Sequence, residues 1–226
     1  MFTINQRFEF LDQLAKMVIS ADTPSLIVTG EGGLGKTHAI RQAIESSELI
    51  DDDYVFIKGY STARGLYNCL FDNNSRLIIF DDCDSVLEDK VALNLLKSAL
   101  DSYEKRTITW MAKMNRNDEY PQQFDFTGRI IFISNKTKES MNEALLTRSL
   151  TVDLSMSPSD KIERMTSVLP SIMPEYSMDV KTDAINFLNE VKEQTSLNFR
   201  MLIMVAKMRA SYPTNWRDMA KYMVNS

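Results

Sequence analysis

The sequence predicts an α/β fold: a parallel five-stranded sheet between helices, followed by a small all-α domain. Three observations carry that expectation. Short, almost uninterrupted apolar runs recur through the first two thirds of the chain and alternate with helical periodicities. Such runs mark parallel strands buried on both faces. Beyond residue 155 only helical patterns remain. Finally, seven Gly and six Pro in 226 residues are about half the usual share, which disfavours a turn-rich all-β chain.

The elements follow in order. Residues 3–20 place Phe8, Leu11, Leu14 and Val18 at helical spacing, with Thr3 as N-cap, and read as a lead-in helix. Strands are expected at 25–30 (SLIVTG), 54–59 (YVFIKG), 76–82 (RLIIFDD), 129–135 (RIIFISN) and 150–154 (LTVDL). Between them, 36–46, ARGLYNCLFDN and KVALNLLKSALDS read as helices. Ser157, Pro158 and Asp160 then form a helix start, as N-cap, first helical residue and first-turn acid. Helices are expected at 159–169, 182–194, 198–211 and 215–224, separated by Pro170, Pro174 and Pro213. The expected domains are therefore 1–155, an α/β domain, and 156–226, a helical one.

Charge and composition exclude several classes. Lys+Arg number 26 and Asp+Glu 31, a net charge of −5, which argues against a protein whose whole surface coats DNA. The 44% apolar and 25% charged content is that of an ordinary globule. Cys69 and Cys83 sit in apolar stretches without metal-ligand spacing and read as buried reduced thiols. MFTINQRFEF lacks the pattern of a signal peptide, and apolar runs of four to six residues fall far short of the ~20 that cross a bilayer. A soluble, cytoplasmic protein with no membrane partner is expected.

The strongest chemical signal is at 30–37. Gly30, Glu31, Gly32, Gly33, Leu34, Gly35, Lys36 and Thr37 match G-x-x-x-x-G-K-[ST], with an expected strand before and helix after. Glycines let such a loop turn its backbone N–H groups inward around a phosphate at a helix N-terminus. Lys36 is then expected on the β- and γ-phosphates, and the Thr37 hydroxyl on Mg²⁺. ATP and Mg²⁺ are the cofactors this implies. His38, the next residue, is counted with the cofactor-binding loop and read by itself as a packing residue.

A second acidic site is expected at the end of the strand Arg76-Leu77-Ile78-Ile79-Phe80-Asp81-Asp82-Cys83-Asp84. Asp81 would hold Mg²⁺ through water, and Asp82 would orient or deprotonate the attacking water. The plain alternative for Asp82 and Asp84 is a solvated loop, Asp84 is the next candidate for the base if Asp82 is not it, and Asp51-Asp52-Asp53 reads as a solvated loop.

With these residues in view, the chain resembles a minimal member of the AAA+ ATPase family, a P-loop domain followed by a helical lid, over about residues 4 to 220. It is similar to clamp-loader-like, helicase-loader-like and small phage-encoded members. The resemblance implies further roles. Asn135 falls where the family places its sensor 1 residue, on a strand between the P-loop and Walker B strands. Ala144-Leu145-Leu146-Thr147-Arg148-Ser149 is similar to the arginine-finger box, so Arg148 would reach a neighbouring subunit's ATP. Asn198-Phe199-Arg200 matches the sensor 2 position. The plain readings remain beside these: a strand-end turn residue for Asn135, a helix-terminal cation for Arg148, a surface charge for Arg200. One departure is Asp82, where the family usually has Glu, a methylene longer.

The resemblance also implies a homo-oligomeric ring, hexameric or otherwise, that hydrolyses ATP at subunit interfaces to load or remodel a macromolecule. An adaptor or partner protein would supply targeting. Arg106-Thr107-Ile108-Thr109-Trp110 and Gln122-Gln123-Phe124-Asp125-Phe126 read as a β-hairpin whose tip carries Lys113 and Arg116. Such a hairpin is similar to those by which ring helicases touch DNA, the plain alternative being a solvated hairpin packed on the next subunit, and Tyr60 is another substrate-contact candidate. The likeness of FDDCDSVL and of the compact chain to small phage ATPases directs the expectation towards DNA replication or recombination. Trp110 and Tyr120 read equally as core or as interface. The competing expectations are an ATP-dependent protein remodeler, a nucleotide-binding switch with slow turnover, and a small-molecule P-loop kinase. Met201, Met204, Met208, Met219 and Met223 recur at helical spacing and read first as core and second as an adaptable partner surface.

Overall fold

A computed structural model describes residues 2–59, 61–101, 105–111 and 120–225. The chain divides into two compact units, one made of 8–31 and 36–154, the other of 1–7, 32–35 and 155–226.

The larger unit is built on a five-stranded parallel sheet. Its strands are β1 (Ser25–Thr29), β2 (Tyr54–Lys58), β3 (Leu77–Asp81), β6 (Arg129–Ile133) and β7 (Leu150–Asp153), in the order β2-β3-β6-β1-β7. β4 (Thr107–Thr109) and β5 (Gln123–Asp125) pair separately and antiparallel. Every residue of β1 and β3 is buried, which is why these strands read as unbroken apolar runs rather than alternating ones. One face of the sheet sends Ile27, Ile78, Phe80, Ile130 and Phe132 into a core with α3 (Ala63–Asp72) and α4 (Lys90–Ala99). By the period of two, the equally buried Leu26, Val28, Ile79 and Ile131 face the other way. α1 (Ile4–Ile19) and α2 (Lys36–Glu45) supply further buried apolar residues, among them Leu11, Ala15, Ile40 and Ala43. From β1 the chain runs to β2 on one edge, and from β6 it passes β1 to reach β7 on the other, so the connections reverse direction beside β1. In open α/β sheets ligands lodge at the carboxyl ends of strands beside such a point.

The hairpin forms as the alternation predicts, with Ile108 opposite Phe124. Its base is fixed to α3 and α4. Arg106 donates to the carbonyls of Ala99 and Gly128 at 2.9 and 2.7 Å. The Tyr67 ring packs on Trp110 and Phe124, and its hydroxyl donates to Pro121 O. Trp110 and Tyr120 therefore belong to the core cluster's margin. Lys113 and Arg116, and likewise Tyr60, lie outside the described residues.

The second unit holds α6 (Pro158–Val168), α7 (Met178–Glu190), α8 (Phe199–Ser211) and α9 (Trp216–Asn225). Ser157 accepts from Asp160 N–H while Asp160 accepts from Ser157 N–H, a reciprocal capping box ahead of Pro158. α7 starts four residues before the expected 182 and ends at 190, because Ser177 and the first-turn acid Asp179 begin the helix upstream of the apolar run. The expectation of a methionine core is corrected. Leu202, Val205 and Ala206 are buried on α8, whereas Met201, Met204, Met208, Met219 and Met223 are half-buried or exposed. The buried positions belong to Leu202, Val205 and Ala206 on α8 and to Trp216 and Ala220 on α9, and the thioethers lie outside them.

Candidate functional site

The site in the larger unit lies at the carboxyl ends of β1, β3 and β6. Lys36, at the start of α2, is 4% exposed. Its ammonium donates to Gly30 O at 2.5 Å, Glu31 O at 2.7 Å and Asn135 Oδ1 at 3.1 Å. Burial lowers its pKa, opposed by the negative charges of Asp82, Asp84, Asp81 and Glu31. Asn135 is two-sided: its Nδ2 donates to Asp82 Oδ1 at 2.7 Å. One amide thus links the loop lysine to the carboxylate that follows β3.

Asp81 is the last residue of β3 and is buried. Its Oδ1 accepts from Thr37 Oγ1 at 2.9 Å. Asp82 is exposed and adopts a left-handed backbone, φ 56°, which turns the chain sharply as the strand ends. Asp84 is not a solvated loop residue. It accepts from Ser134 Oγ at 2.6 Å and from Asn135 N–H at 3.0 Å, tying the turn after β3 to the end of β6. The sequence reading missed this anchoring role. Its signal was a polar pair, Ser134-Asn135, closing one strand opposite an acidic turn closing another.

The loop's own backbone explains its composition. Gly33 and Gly35 have φ of 74° and 94°, a region that side chains with a Cβ rarely enter. Within the smaller unit, a Cβ on Gly33 would come within 3.2 Å of Asn198 Cβ, and Phe199 N–H donates to Gly33 O at 3.0 Å. Asn198 also caps α8 by accepting from Met201 N–H. Arg200 stands exposed in the first turn of that helix.

His38 is exposed, which corrects its reading as a packing residue. Buried positions on α2 are Lys36, Ile40, Ala43 and Ile44, and residue 38 falls on the opposite side of the helix. Arg148 follows α5 (Glu143–Leu146). It donates from Nη1 to Ala144 O at 2.8 Å, and its Nε lies 3.7 Å from Asp101 Oδ2. In the isolated chain it is therefore a helix-terminal cation with an ion partner. The two thiols are free, and burial pushes Cys69 up to about 11 and Cys83 up as well, as expected of unreactive cysteines.

No protein-family model matches the chain. An uncharacterized 36.7 kDa protein in the nrdC-mobD intergenic region of Enterobacteria phage T4 is 32% identical over 174 residues, 70% of this chain and 53% of that protein. The chain thus spans about half the length of this curated relative. Three solved structures share its architecture. The RuvB Holliday junction branch migration motor of Thermotoga maritima superposes with a TM-score of 0.53 at 14% identity, covering 97% of this chain and 68% of that one. NtrX from Brucella abortus, solved with ATP, gives 0.53 at 13% identity, with 91% and 50% covered. A Walker-type ATPase of Pyrococcus abyssi gives 0.51 at 11% identity, with 99% and 71% covered. The fold is that of the AAA+ P-loop ATPases. Among the described residues no helix is long and apolar enough to cross a membrane.

Proposed function

We propose that this chain binds ATP with Mg²⁺ at the ends of β1, β3 and β6 and hydrolyses it. It would do so as the ATPase unit of a homo-oligomeric ring that loads or remodels DNA in replication or recombination. The observation that carries the reading is the chain of contacts Lys36–Asn135–Asp82, set beside the Thr37–Asp81 hydrogen bond. Nucleotide fits this place. Gly30 turns at the end of β1 with φ 131°, α2 begins at Lys36 and so offers its N-terminus to an anion, and the Lys36 ammonium is buried. Mg²⁺ fits too, because it takes hard oxygen donors and needs only one or two from protein when phosphates supply others. Thr37 Oγ1 and Asp81 are such donors. Bound there, the cation would neutralise charge developing on the phosphates.

The chain's own residues then divide the work. Lys36 releases its loop carbonyls to hold phosphate oxygens. Asn135 positions a water against Asp82, which accepts its proton. Arg148 acts on a neighbouring subunit's nucleotide, which requires it to leave Asp101, and Arg200 acts on its own subunit's. An adaptor protein brings the ring to its substrate. DNA is favoured because the hairpin base is rigidly seated on α3 and α4 and its sequence places Lys113 and Arg116 at the tip. The motor in the structural comparison is itself named for work on Holliday junctions.

The short Asp82 side chain, hydrogen-bonded by Asn135, favours a second reading, a nucleotide switch with slow turnover. The test is the steady ATPase rate with single-stranded DNA, duplex DNA or unfolded protein. Stimulation by DNA that disappears in Lys113→Ala/Arg116→Ala is expected. Stimulation by unfolded protein alone would replace DNA with protein as substrate, and no stimulation with a rate below one turnover per binding event would favour the switch.

A further inference from the structure

Among the described residues Asp81 is the buried carboxylate, and a second cation, Lys58, stands beside it. Oδ1 is taken by Thr37. Oδ2 is shielded from solvent and accepts no directed hydrogen bond, yet the ammonium of Lys58 lies 2.6 Å from it. Lys58 ends β2 directly across from Asp81 in the parallel register. A buried carboxylate without a counter-charge is costly, and the Lys58 ammonium is the one in direct contact with Asp81, with Lys36 adding its charge from within the loop.

The surroundings of Lys58 suit a partner that can leave. β2 is an edge strand, with no further strand outside it among the described residues. The Lys58 side chain is 52% exposed against 3% for Asp81. Gly59 follows with φ 92°, and among the described residues no atom lies within 4 Å of where its Cβ would stand. A lysine head on a flexible, half-wet stem can withdraw into water at little cost.

We propose that Lys58 is a tethered counter-ion that competes with the divalent cation for Asp81 and so sets the cation concentration at which nucleotide is held. This deepens the ATP–Mg²⁺ reading and rests on it. A divalent ion and an ammonium next to one carboxylate repel each other. Lys58 must therefore yield when the cation enters, and removing it must make entry easier. Lys58 is thus a positioning residue for the cation site rather than a group that touches nucleotide.

The experiment uses the full chain with Mn²⁺ as the metal probe, its free concentration read by electron paramagnetic resonance in saturating ADP. Lys58→Gln should tighten the apparent Mn²⁺ Kd on the order of tenfold, the size expected for one removed charge a few ångströms away. Lys58→Arg should stay within about threefold of wild type on the same basis. Equal affinities for wild type and Lys58→Gln, or an equal shift in Lys58→Arg, would overturn the proposal. If wild type binds no ADP at any cation concentration, the ATP reading fails instead. Lys58 is then judged by melting with MnCl₂ alone, where Lys58→Gln should gain more than wild type, and equal gains count against it. Labelling of the wild-type lysines with an acylating reagent covers a variant that does not fold. Modification of Lys58 should rise when Mn²⁺ and ADP are added, and an unchanged or lower level would refute displacement.

Discussion

The ends of β1, β3 and β6 and the corner that carries Arg148 are organised in opposite ways. At the strand ends the cation is buried and has three oxygen partners within 3.1 Å, and the carboxylates around it are themselves anchored, Asp84 by two donors. At the corner the cation is 35% exposed, with one backbone oxygen at 2.8 Å and an ion partner at 3.7 Å. An exposed ion pair of that kind contributes about 0–1 kcal/mol. The strand-end site is a finished structure in a single chain. The corner holds its arginine weakly, so the proposed role on a neighbouring subunit's nucleotide would cost little to reach. The difference teaches that one group of charges is fully tied down within the chain while the other is left loosely held, which is what the proposed function would require of a nucleotide site and of an arginine that works in trans.

The contrast is broken or sharpened most strongly at Arg148 itself. Arg148→Ala should lose on the order of 10³-fold in hydrolysis rate while keeping nucleotide affinity, the signature of an arginine that acts on transition-state charge. Mixed with Lys36→Ala, which still presents its arginine, it should regain activity. A mixing curve flat at the sum of the two inactive proteins, in rings shown to exchange subunits, would return Arg148 to a helix-terminal role. Lys36→Ala alone should weaken ATP binding on the order of 100-fold, through the loss of charge-assisted hydrogen bonds to phosphate. Retention within threefold, by fluorescent-nucleotide titration, would refute the phosphate-loop assignment. The smallest effects come from the two supporting carboxylates. Asp84→Ala orphans Ser134 and Asn135 and should cost about 1–3 kcal/mol in denaturant stability. It should also lower kcat roughly tenfold through a misplaced Asn135. Asp101→Ala should change stability by less than about 1 kcal/mol. Equal costs for the two would erase the distinction between a built site and a loosely held one.

How much of this was legible in the sequence follows the same division. The strands could be read because burial on both faces leaves apolar runs, and the glycine-rich loop because its residues are consecutive. Asp81 was legible as the acid that ends an apolar strand. Contacts made across the sheet were not. Nothing local pairs Asp84 with Ser134, Lys58 with Asp81 or Arg148 with Asp101, since each pair forms only when separate segments fold together. The helical unit misled for a related reason. A methionine repeat has the period of a buried stripe, yet Leu202, Val205 and Ala206 share that helix and take the buried face. His38 follows the motif in sequence but points away from the buried side of α2.

The central claim is that the contacts Lys36–Asn135–Asp82 hold and hydrolyse ATP. Single-turnover hydrolysis of labelled ATP by wild type and Asp82→Asn, with binding measured in the same samples, tests it most directly. An amide keeps the size of the side chain and cannot accept the water's proton. Both proteins should bind ATP with similar affinity, and only wild type should convert it to ADP. Equal conversion by the two proteins, or bound ATP that wild type never cleaves, would contradict the account.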